Sequence, residues 1–436
     1  MKINNFFKDN NFIENCLFSL FLLLPIFFLI GNFTVNLIYI SISIIFVLGL
    51  LIKKLKFNFK NQLFYLLIFL FLTFIINLIF SNDIKLTLPR IIKFITIILF
   101  VLSYKYLLKF LKKEKFNKIY KSWTIIFFIV IIDLIIEIIS GQNIIGNKSI
   151  LPGRLSSFTG DEMVIGNYFS AFALIALSYI HLRYKNLKFD LFFIVLIIFL
   201  SFLIGERSNF LKTLLMISFF IFFIQELKLK YVLVFFVTLI IFLNFLILGN
   251  QDYKTRYFSQ LKNFLNSEGL NYYLNETQYG AHFKISKEIF LNYPIFGVGI
   301  KNFRIESFKK KYEGILSKHL NAYKIDDDYG LSADKPTFGK WTGGSTHPHQ
   351  LHYEFLSETG LFGYLSFLIF IFISLKLSIK SFLKENNLFQ LSGILFVSAS
   401  LIPIIPSGSF FSTFTSGLFW INYALMMSYV NFNTKF

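Results

Sequence analysis

The sequence is poor in cysteine, tryptophan and charge: its 436 residues include one cysteine, three tryptophans and only 15% charged residues. The single cysteine, Cys16, excludes a disulfide within the chain, so cysteine usage gives no information on the redox compartment. Alternating apolar and polar positions, which would predict transmembrane strands, are also absent. With 55% hydrophobic residues and a mean hydropathy of +0.64, the chain is atypical of soluble domains.

The sequence is rich in apolar runs. Because ~20 helical residues at 1.5 Å each cross the ~30 Å hydrocarbon core, such runs predict membrane-spanning helices. Twelve spans are predicted, at residues 15–30, 34–52, 62–80, 88–108, 121–139, 163–181, 189–204, 209–225, 231–249, 356–375, 388–404 and 411–430. The predicted fold is therefore an all-α polytopic membrane protein with about twelve transmembrane helices.

The net charge of +19 is distributed unevenly among the connections between spans. The connections after spans 2, 4, 6, 8 and 10 contain 19 basic residues, whereas the short connections on the other side contain four. Basic residues concentrate in cytoplasmic connections, so this pattern predicts both termini in the cytoplasm and a bilayer rather than a nucleic acid as partner. Residues 1–30 start like a signal peptide, but no small-x-small cleavage site follows, so they are predicted to form the first span.

One long connection divides the chain into three predicted parts: spans 1–9 in residues 1–249, a loop at 250–348, and spans 10–12 in 349–436. The charge alternation predicts this loop on the outer side, and a loop of this length is usually functional. Within it, helical segments are predicted at 257–265, 281–292 and 302–313, and residues 326–341 are predicted to be irregular.

Residues 345–363, with the sequence STHPHQLHYEFLSETGLFG, close the polar loop and open an apolar run. His347, His349 and His352 lie in this segment, and histidine is the side chain most able to exchange protons at neutral pH. Two alternatives stay open: the histidines are incidental residues at a loop end, or they bind zinc together with Glu354. The spacing does not match a recognised zinc pattern, so we predict no metal.

Arginines concentrate on the predicted outer side, at Arg154, Arg207, Arg256 and Arg304. The alternative for each is a side chain that extends towards the lipid headgroups. Guanidinium groups have five donors in a rigid fork that suits phosphate oxygens, so several at one membrane face suggest an anion site.

Four further ionisable residues are predicted at membrane depth: Arg90 and Lys93 at the outer start of span 4, and Asp133 and Glu137 in span 5. Such residues usually pair with one another or serve function. They predict either an ion-pair network within the membrane or, at Arg90 and Lys93, a site for a lipid-linked phosphate.

His349 and Gln350, followed after nine residues by Gly360 and Gly363, resemble the H-[NSQ]-x9-G-x-x-G motif of bacterial O-antigen ligases. The layout of twelve spans with a long outer loop before span 10 is similar to that of the wider superfamily, which includes O-antigen polymerases. The segments Asn292–Gly299, Gly205–Ser208 and Gly153–Arg154 also resemble family elements. Many members have an arginine near the start of the helix before Pro294. This chain has none, and His282 or Arg256 is the candidate substitute.

The resemblance implies a metal-independent, inverting, GT-C-like glycosyltransferase without cofactors. It would transfer a glycan from undecaprenyl diphosphate to a hydroxyl of lipid A-core or another glycan at the periplasmic face of the inner membrane. The resemblance implies His349 as general base and diphosphate binding by Arg207, Arg154 and Arg256. Arg90, Lys93, His282 and Arg304 are predicted to bind lipid phosphate or to be structural. Gln350, Glu358, Gly360 and Gly363 are predicted to be structural, with the two glycines allowing a neighbouring helix to approach.

Three other functions stay open at this point. A polymerase that joins repeat units, or an enzyme with a protein acceptor, would use the same chemistry. A polysaccharide transporter or flippase is a different class. It would be expected to have internal repeats and polar residues along its spans, whereas here the polar residues concentrate outside.

Overall fold

The computed structural model describes residues 12–224, 247–259, 278–312, 345–403 and 405–431, with isolated positions 237, 240, 244, 262, 265, 269, 271 and 274. Every regular element in these ranges is helical, as predicted. The longer helices are α1 Phe12–Ile30, α2 Asn32–Leu51, α3 Gln62–Ile79, α4 Ile84–Phe110, α5 Lys113–Ser140, α6 Ile165–Tyr184, α7 Leu187–Leu203, α8 Arg207–Ile221, α9 Gln278–Asn292, α10 Leu351–Glu385, α11 Leu388–Ser400 and α12 Thr413–Ser428.

Seven of these helices, α1 to α6 and α10, are long and apolar enough to cross a membrane. The chain is therefore a multi-pass membrane protein. Helices α7, α8 and α12 overlap predicted spans but have only 17, 15 and 16 residues, and α11 is a shorter apolar helix. The predicted ninth span, 231–249, lies largely outside the described residues. The total of twelve spans, like the three-part division of the chain, stays a prediction.

Local capping explains where several helices begin. The side chain of Asn61 accepts a hydrogen bond from Phe64 N–H at the start of α3, and Asn387 does the same for Phe389 N–H at the start of α11. Asparagine is a favoured N-cap because its carbonyl oxygen satisfies an amide that has no partner within the helix.

Helix α12 lies in the interior and packs against α4, α6 and α11. Its residues 416–428 are buried on every side, as expected of a helix that is apolar all round. Where α11 crosses α12, a side chain at Gly393 would meet Met426 N at 2.7 Å, so only glycine permits this approach.

The basic connection between α4 and α5 lies at one end of the helix bundle. Tyr106 donates a hydrogen bond to Glu14 near the start of α1, and Lys105 donates to the carbonyl of Val430 after α12 (2.9 and 3.0 Å). The candidate site residues lie at the opposite end. The described structure thus separates the basic connection from the site, as the charge pattern predicts, whereas the orientation in a membrane stays a prediction.

The segment at 278–312 has a small core of its own. Helix α9 matches the predicted helix at 281–292, and Phe303–Glu306 with the 3-10 turn Lys310–Tyr312 falls within the predicted helix at 302–313. The core contains Ala281, Ile285, Ile289, Val298, Phe303 and Tyr312. In the predicted helix at 257–265, residues up to 259 belong to a π-helical turn, and most of the remainder lies outside the described residues. The segment at 326–341 also lies outside them.

Candidate functional site

The site is built on a pairing between the turn after α9 and the first part of α10. Gly299 N–H donates to the carbonyl of Glu358 at 2.8 Å, and Leu361 N–H donates to the carbonyl of Pro294 at 2.8 Å. Between these bonds Gly360 has φ 64°, which interrupts the helical geometry and kinks α10. The kink frees backbone groups that the turn then satisfies.

Two glycines make this close pairing possible. A side chain at Gly360 would meet Gly297 N at 2.5 Å, and one at Gly297, with φ 68°, would meet the carbonyl carbon of Glu358 at 2.5 Å. The segment that approaches Gly360 is thus a turn rather than the neighbouring helix we expected. Gly363 faces Thr359 of its own helix.

Asn77, buried near the end of α3, joins this pairing to the helix bundle. Its side-chain amide donates to the carbonyls of Phe296 (2.7 Å) and Glu358 (3.0 Å), and its oxygen accepts from Ile300 N–H (3.1 Å). One side chain therefore holds three backbone segments in register. An asparagine within an apolar helix was visible in the sequence, but its partners lie more than 200 residues away.

His349 lies immediately before α10, and the residues around it fix its backbone. Gln350 caps the helix by accepting from Tyr353 N–H (2.9 Å), and its amide nitrogen donates to Pro403 C=O (2.8 Å). The carbonyl of His349 accepts from Ser407 N–H (2.8 Å). His349 has φ 55°, an uncommon conformation for a residue with a side chain.

Three imidazole rings meet at this point. The centroid of His349 lies 4.0 Å from that of His347 and 5.1 Å from that of His282 in α9, and Tyr279 lies 6.2 Å away. Helix α9 packs directly on α10, which brings His282 into the cluster. We call His282, His347 and His349 the histidine cluster.

The surroundings of the cluster favour neutral imidazoles. Burial lowers the pKa of His349 below its ordinary value, and burial followed by the charge of His349 lowers the pKa of His282. For His347, burial again acts first, and the charges of His349, Lys301 and other cationic neighbours lower its pKa further. A neutral imidazole has a free lone pair, so these rings are able to accept a proton at neutral pH.

His352 has a different role. Its Nδ1 lies 3.0 Å from the Tyr364 hydroxyl, and its Nε2 lies 2.7 Å from the carbonyl of Leu401. Because a carbonyl only accepts, Nε2 carries the proton and Nδ1 accepts from the tyrosine. The ring thereby links α10 to the end of α11, and neither nitrogen is left for a substrate.

Sequence analysis missed Lys301, which is buried beside the cluster. Its Nζ donates to Ser409 Oγ and lies 3.9 Å from Glu354 Oε1, and its backbone N–H donates to Glu358 Oε2 (2.7 Å). Glu354 also accepts from Ser409 Oγ and from Phe410 N–H (2.7 Å). The available signal was a lone lysine directly after the apolar Gly297–Ile300 segment, where a charge is costly unless paired.

Glu358 has a structural position. It is fully buried, and its side chain and carbonyl both bind the turn after α9. This agrees with the expectation that it does not orient His349 directly.

A second cationic group lies near the histidine cluster. Arg90 and Lys93 line a pocket whose other walls include Phe94, Phe411 and Trp420. Lys93 Nζ is buried and has no hydrogen-bond partner among the described residues. The charge of Arg304 acts on both Arg90 and His347, so Arg304 lies within electrostatic range of each of them.

The other three predicted arginines form a separate arginine cluster with Glu206. Arg256 Nε donates to the carbonyl of Gly205 (2.7 Å), and Arg207 donates to the carbonyl of Arg256 (3.1 Å). Arg154 lies 3.7 Å from Glu206 Oε1. The turn at Gly205 and the loop at 153–154 cross so closely that a side chain on Gly205 would strike Gly153 C=O.

Glu206 also ties this cluster to α6 by accepting from Gly166 N–H (2.9 Å). Burial raises the pKa of the Glu206 carboxyl, and the nearby charge of Arg154 opposes that rise. With Glu206 ionised, three guanidinium groups and one carboxylate leave a net charge of +2. The cluster therefore attracts anions.

Asp133 and Glu137 position the loop that carries Arg154, rather than forming the ion pairs we expected. Asp133 accepts from Ile144 N–H (2.8 Å) and Ser157 Oγ (2.6 Å). Glu137 accepts from the backbone N–H groups of Ser156 (2.9 Å) and Ser157 (2.7 Å). Two carboxylates at i and i+4 on α5 thus satisfy buried backbone donors of the loop that follows α5.

A chain of contacts connects the arginine cluster with the histidine cluster. Next to Gly166, Asn167 lies 3.5 Å from Thr415 in the first turn of α12. Thr415 lies against Gly408, and the adjacent Ser407 binds His349. The N-terminal ends of α6 and α12 therefore lie along the route between the two clusters.

The arrangement combines potential proton acceptors with potential anion-binding groups at one end of the bundle. Among the described residues, no group of three or more His, Cys, Asp and Glu side chains is arranged to hold a metal ion. Guanidinium and ammonium groups are able to offset the charge of a phosphate, and an imidazole is able to accept a hydroxyl proton.

Residues 191–368 match the model of a protein family described as O-antigen ligase. The match contains Arg207, Arg256, His282, Arg304 and His349, whereas Arg90, Lys93 and Arg154 precede it. No curated protein matches the chain. The family consists of glycosyltransferase-like membrane enzymes that act on lipid-linked glycans. The match supports the predicted resemblance to the superfamily of O-antigen ligases and polymerases over residues 191–368.

Proposed function

We propose that this protein is an O-antigen ligase-like glycosyltransferase. It transfers a glycan from undecaprenyl diphosphate to a hydroxyl of lipid A-core at the periplasmic face of the bacterial inner membrane. The observation that carries the proposal is the histidine cluster: His349, partly buried and with a lowered pKa that favours the neutral ring, lies beside two further imidazoles, and Lys301 and Arg304 act on the same cluster. This is the combination that transfer to a hydroxyl from a phosphate leaving group requires.

In the proposed reaction, the acceptor hydroxyl attacks C1 of the donor sugar and gives its proton to the imidazole of His349. The bond between C1 and the diphosphate oxygen breaks, and the diphosphate leaves with the electron pair. Attack opposite the leaving group inverts the configuration at C1. The lowered pKa of His349 keeps its lone pair free at neutral pH, and an anion bound nearby would raise the basicity of the ring towards the range of a general base.

The diphosphate is bound by Arg207, Arg154 and Arg256 in this proposal, because their cluster has a net positive charge on the same side of the bundle. Arg90, Lys93 and Arg304 form a second candidate phosphate site. Two features favour it: Lys93 Nζ has no hydrogen-bond partner in the described part of the chain, and the charge of Arg304 acts on His347 of the histidine cluster. Binding of an anion there would offset positive charge near His347 and make protonation of the cluster easier.

The main alternative is a polymerase that joins lipid-linked repeat units, and it differs only in the acceptor. Transfer to protein is a third possibility within the same chemistry. A transporter or flippase is less well supported, because the ionisable groups described above concentrate at one end of the bundle.

The test uses His349→Ala with His181→Ala as the matched control. His181 lies at the other end of α6, where it pairs with Asp190. We expect at least a ~10²-fold loss of transfer for His349→Ala at equal membrane levels, as is typical of a removed general base. Loss of capped lipopolysaccharide with accumulation of lipid-linked long chains identifies a ligase, and single repeat units on the acceptor identify a polymerase. Normal transfer by His349→Ala would refute the proposed base.

The proposed chemistry uses no metal, so transfer is expected to persist in EDTA. Loss of activity in EDTA with recovery on addition of zinc would refute metal independence.

A further inference from the structure

His282 is the most enclosed member of the histidine cluster. It lies in the second turn of α9 and is 0% exposed, and its neighbours on the buried face of the helix, Ala281, Ile285 and Ile289, are apolar. Neither Nδ1 nor Nε2 has a hydrogen-bond partner among the described residues. The ring of His349, 5.1 Å away between centroids, also makes no hydrogen bond within the described part of the chain.

An imidazole in this state is costly. A neutral ring always has one N–H donor and one lone pair, and burying either of them without a partner destabilises the folded protein. An apolar residue would satisfy the position better, as it does at Ala281 and Ile285. Buried polar atoms in folded proteins nearly always have a partner, and none of the described residues provides one for His282.

We infer that His282 is a second substrate-contacting residue that binds the acceptor sugar hydroxyl between its own ring and that of His349. The inference rests on the proposed function and extends it. The N–H of His282 donates to a lone pair of the acceptor oxygen, while the hydroxyl proton points to the lone pair of His349. His282 gains and loses no proton in the step, and it holds the oxygen in position as His349 removes the proton.

The charge state of the ring distinguishes this role from phosphate binding. Burial and the neighbouring His349 lower the pKa of His282, so the ring is neutral and adds no positive charge for a diphosphate. A neutral imidazole, with one N–H donor and one lone pair, instead suits an uncharged hydroxyl. The nearest groups that suit a phosphate are Arg304 and Lys301, whose charges already act on His347.

The test compares His282→Leu, which removes both polar atoms while keeping the site filled, with His282→Gln, which restores a donor and an acceptor. Both variants are purified in detergent, and transfer is measured with a lipid-linked glycan donor and increasing acceptor. We expect His282→Leu to lower kcat/KM for the acceptor by about 10- to 100-fold. The affinity for the donor is expected to stay unchanged. The unfolding midpoint is expected to stay unchanged or to rise. His282→Gln is expected to recover part of the loss.

Two outcomes would overturn the inference. If folded His282→Leu has the parent's kcat/KM for the acceptor while His349→Gln is inactive, His282 does not contact the acceptor although the proposed function stands. If His282→Leu loses donor affinity instead, the residue serves the diphosphate. Full activity of His349→Gln would count against the proposed function itself. That result is distinguishable from the two His282→Leu outcomes.

Discussion

The backbone N–H of Ser407 binds the carbonyl oxygen of His349 at 2.8 Å, across the gap between the start of α10 and the segment before α12. His349 has φ 55°, a conformation that surrounding contacts must hold. This bond is one such contact. The orientation of the proposed base thus depends on a segment almost 60 residues further along the chain.

Ser407→Pro is expected to lower transfer by at least ~10-fold, because proline has no N–H to donate to His349. Ser407→Ala is the matched control, since it keeps the N–H and removes only a hydroxyl that has no partner among the described residues. Purified variants would be compared in a transfer assay at equal amounts of folded protein. Equal activity of the two variants would contradict a role for this bond.

The pair of Lys301 and Glu354 is expected to show strong coupling. Lys301→Met leaves the carboxylate of Glu354 buried without its cation, which typically costs about 3–5 kcal/mol. Glu354→Gln alone leaves the ammonium in the same situation. The double variant removes both charges and should recover much of the lost stability. Unfolding midpoints of the parent, the two single variants and the double variant measure the coupling, and additive losses would contradict it.

Gly360→Ala is expected to reduce the yield of folded protein sharply. A methyl group there would meet Gly297 N at 2.5 Å, and a left-handed backbone costs roughly 1–2 kcal/mol for a residue with a side chain. Gly249→Ala is the control, because a methyl group there would have no atom of the described residues within 4 Å. Size-exclusion chromatography in detergent measures the yield of folded protein for both variants. Similar profiles for the two variants would show that the kink tolerates a side chain.

Arg207→Ala is expected to abolish transfer while the protein stays in the membrane. The change removes one of three guanidinium groups and a hydrogen bond to the carbonyl of Arg256. Arg207→Lys keeps the charge but not the fork of donors, so it should retain only part of the activity. The measurement is the donor KM, which should rise in both variants. Near-normal transfer by Arg207→Ala would remove the residue from the diphosphate site.

The histidine cluster predicts a stability that falls in acid. The pKa values of His282, His347 and His349 are lowered in the folded protein, with Lys301 and Arg304 among the charges that face them. As pH falls below the ordinary value of about 6.5, the unfolded chain binds protons first, so unfolding is favoured by at most ~1.4 kcal/mol per pH unit for each histidine. Above about pH 6.5 the three imidazoles are neutral in both the folded and the unfolded protein, so their titration no longer changes the stability.

Unfolding midpoints at pH 7.5 and 5.5 check this expectation. His347→Gln should have a smaller drop between the two values than the parent, because one of the three rings no longer titrates. An identical drop in the variant would mean that the cluster does not cause the pH dependence.

Sequence analysis was most successful where the signal is local. The helix predicted at 281–292 matches α9 within three residues, since its apolar spacing and the following Pro294 are both local features. The motif around His349 and Gly360 lies within the segment that matches the O-antigen ligase family. The roles of the residues in this motif were less visible in the sequence: Gln350 is a helix cap, and Gly360 accommodates a turn rather than a helix.

The residues that were missed depend on distant partners. Lys301 became a candidate only when Glu354 and Ser409 were seen around it, and these lie 53 and 108 residues away. Similarly, Asp133 and Glu137 suggested an ion-pair network because the backbone donors that they bind lie in an irregular loop. Periodicity describes which residues share a helix face, whereas the choice of partner across the bundle depends on tertiary packing.

The Asn77 amide has a consequence for the order in which the chain is synthesised. Its partners at Phe296 and Glu358 follow it by 219 and 281 residues, so α3 enters the membrane long before the groups that satisfy this amide exist. His349 likewise has no anchor until Ser407 has been made. The site can therefore be completed only late in biosynthesis, and ribosome-bound chains that end before residue 407 are expected to be inactive even when their earlier helices are inserted.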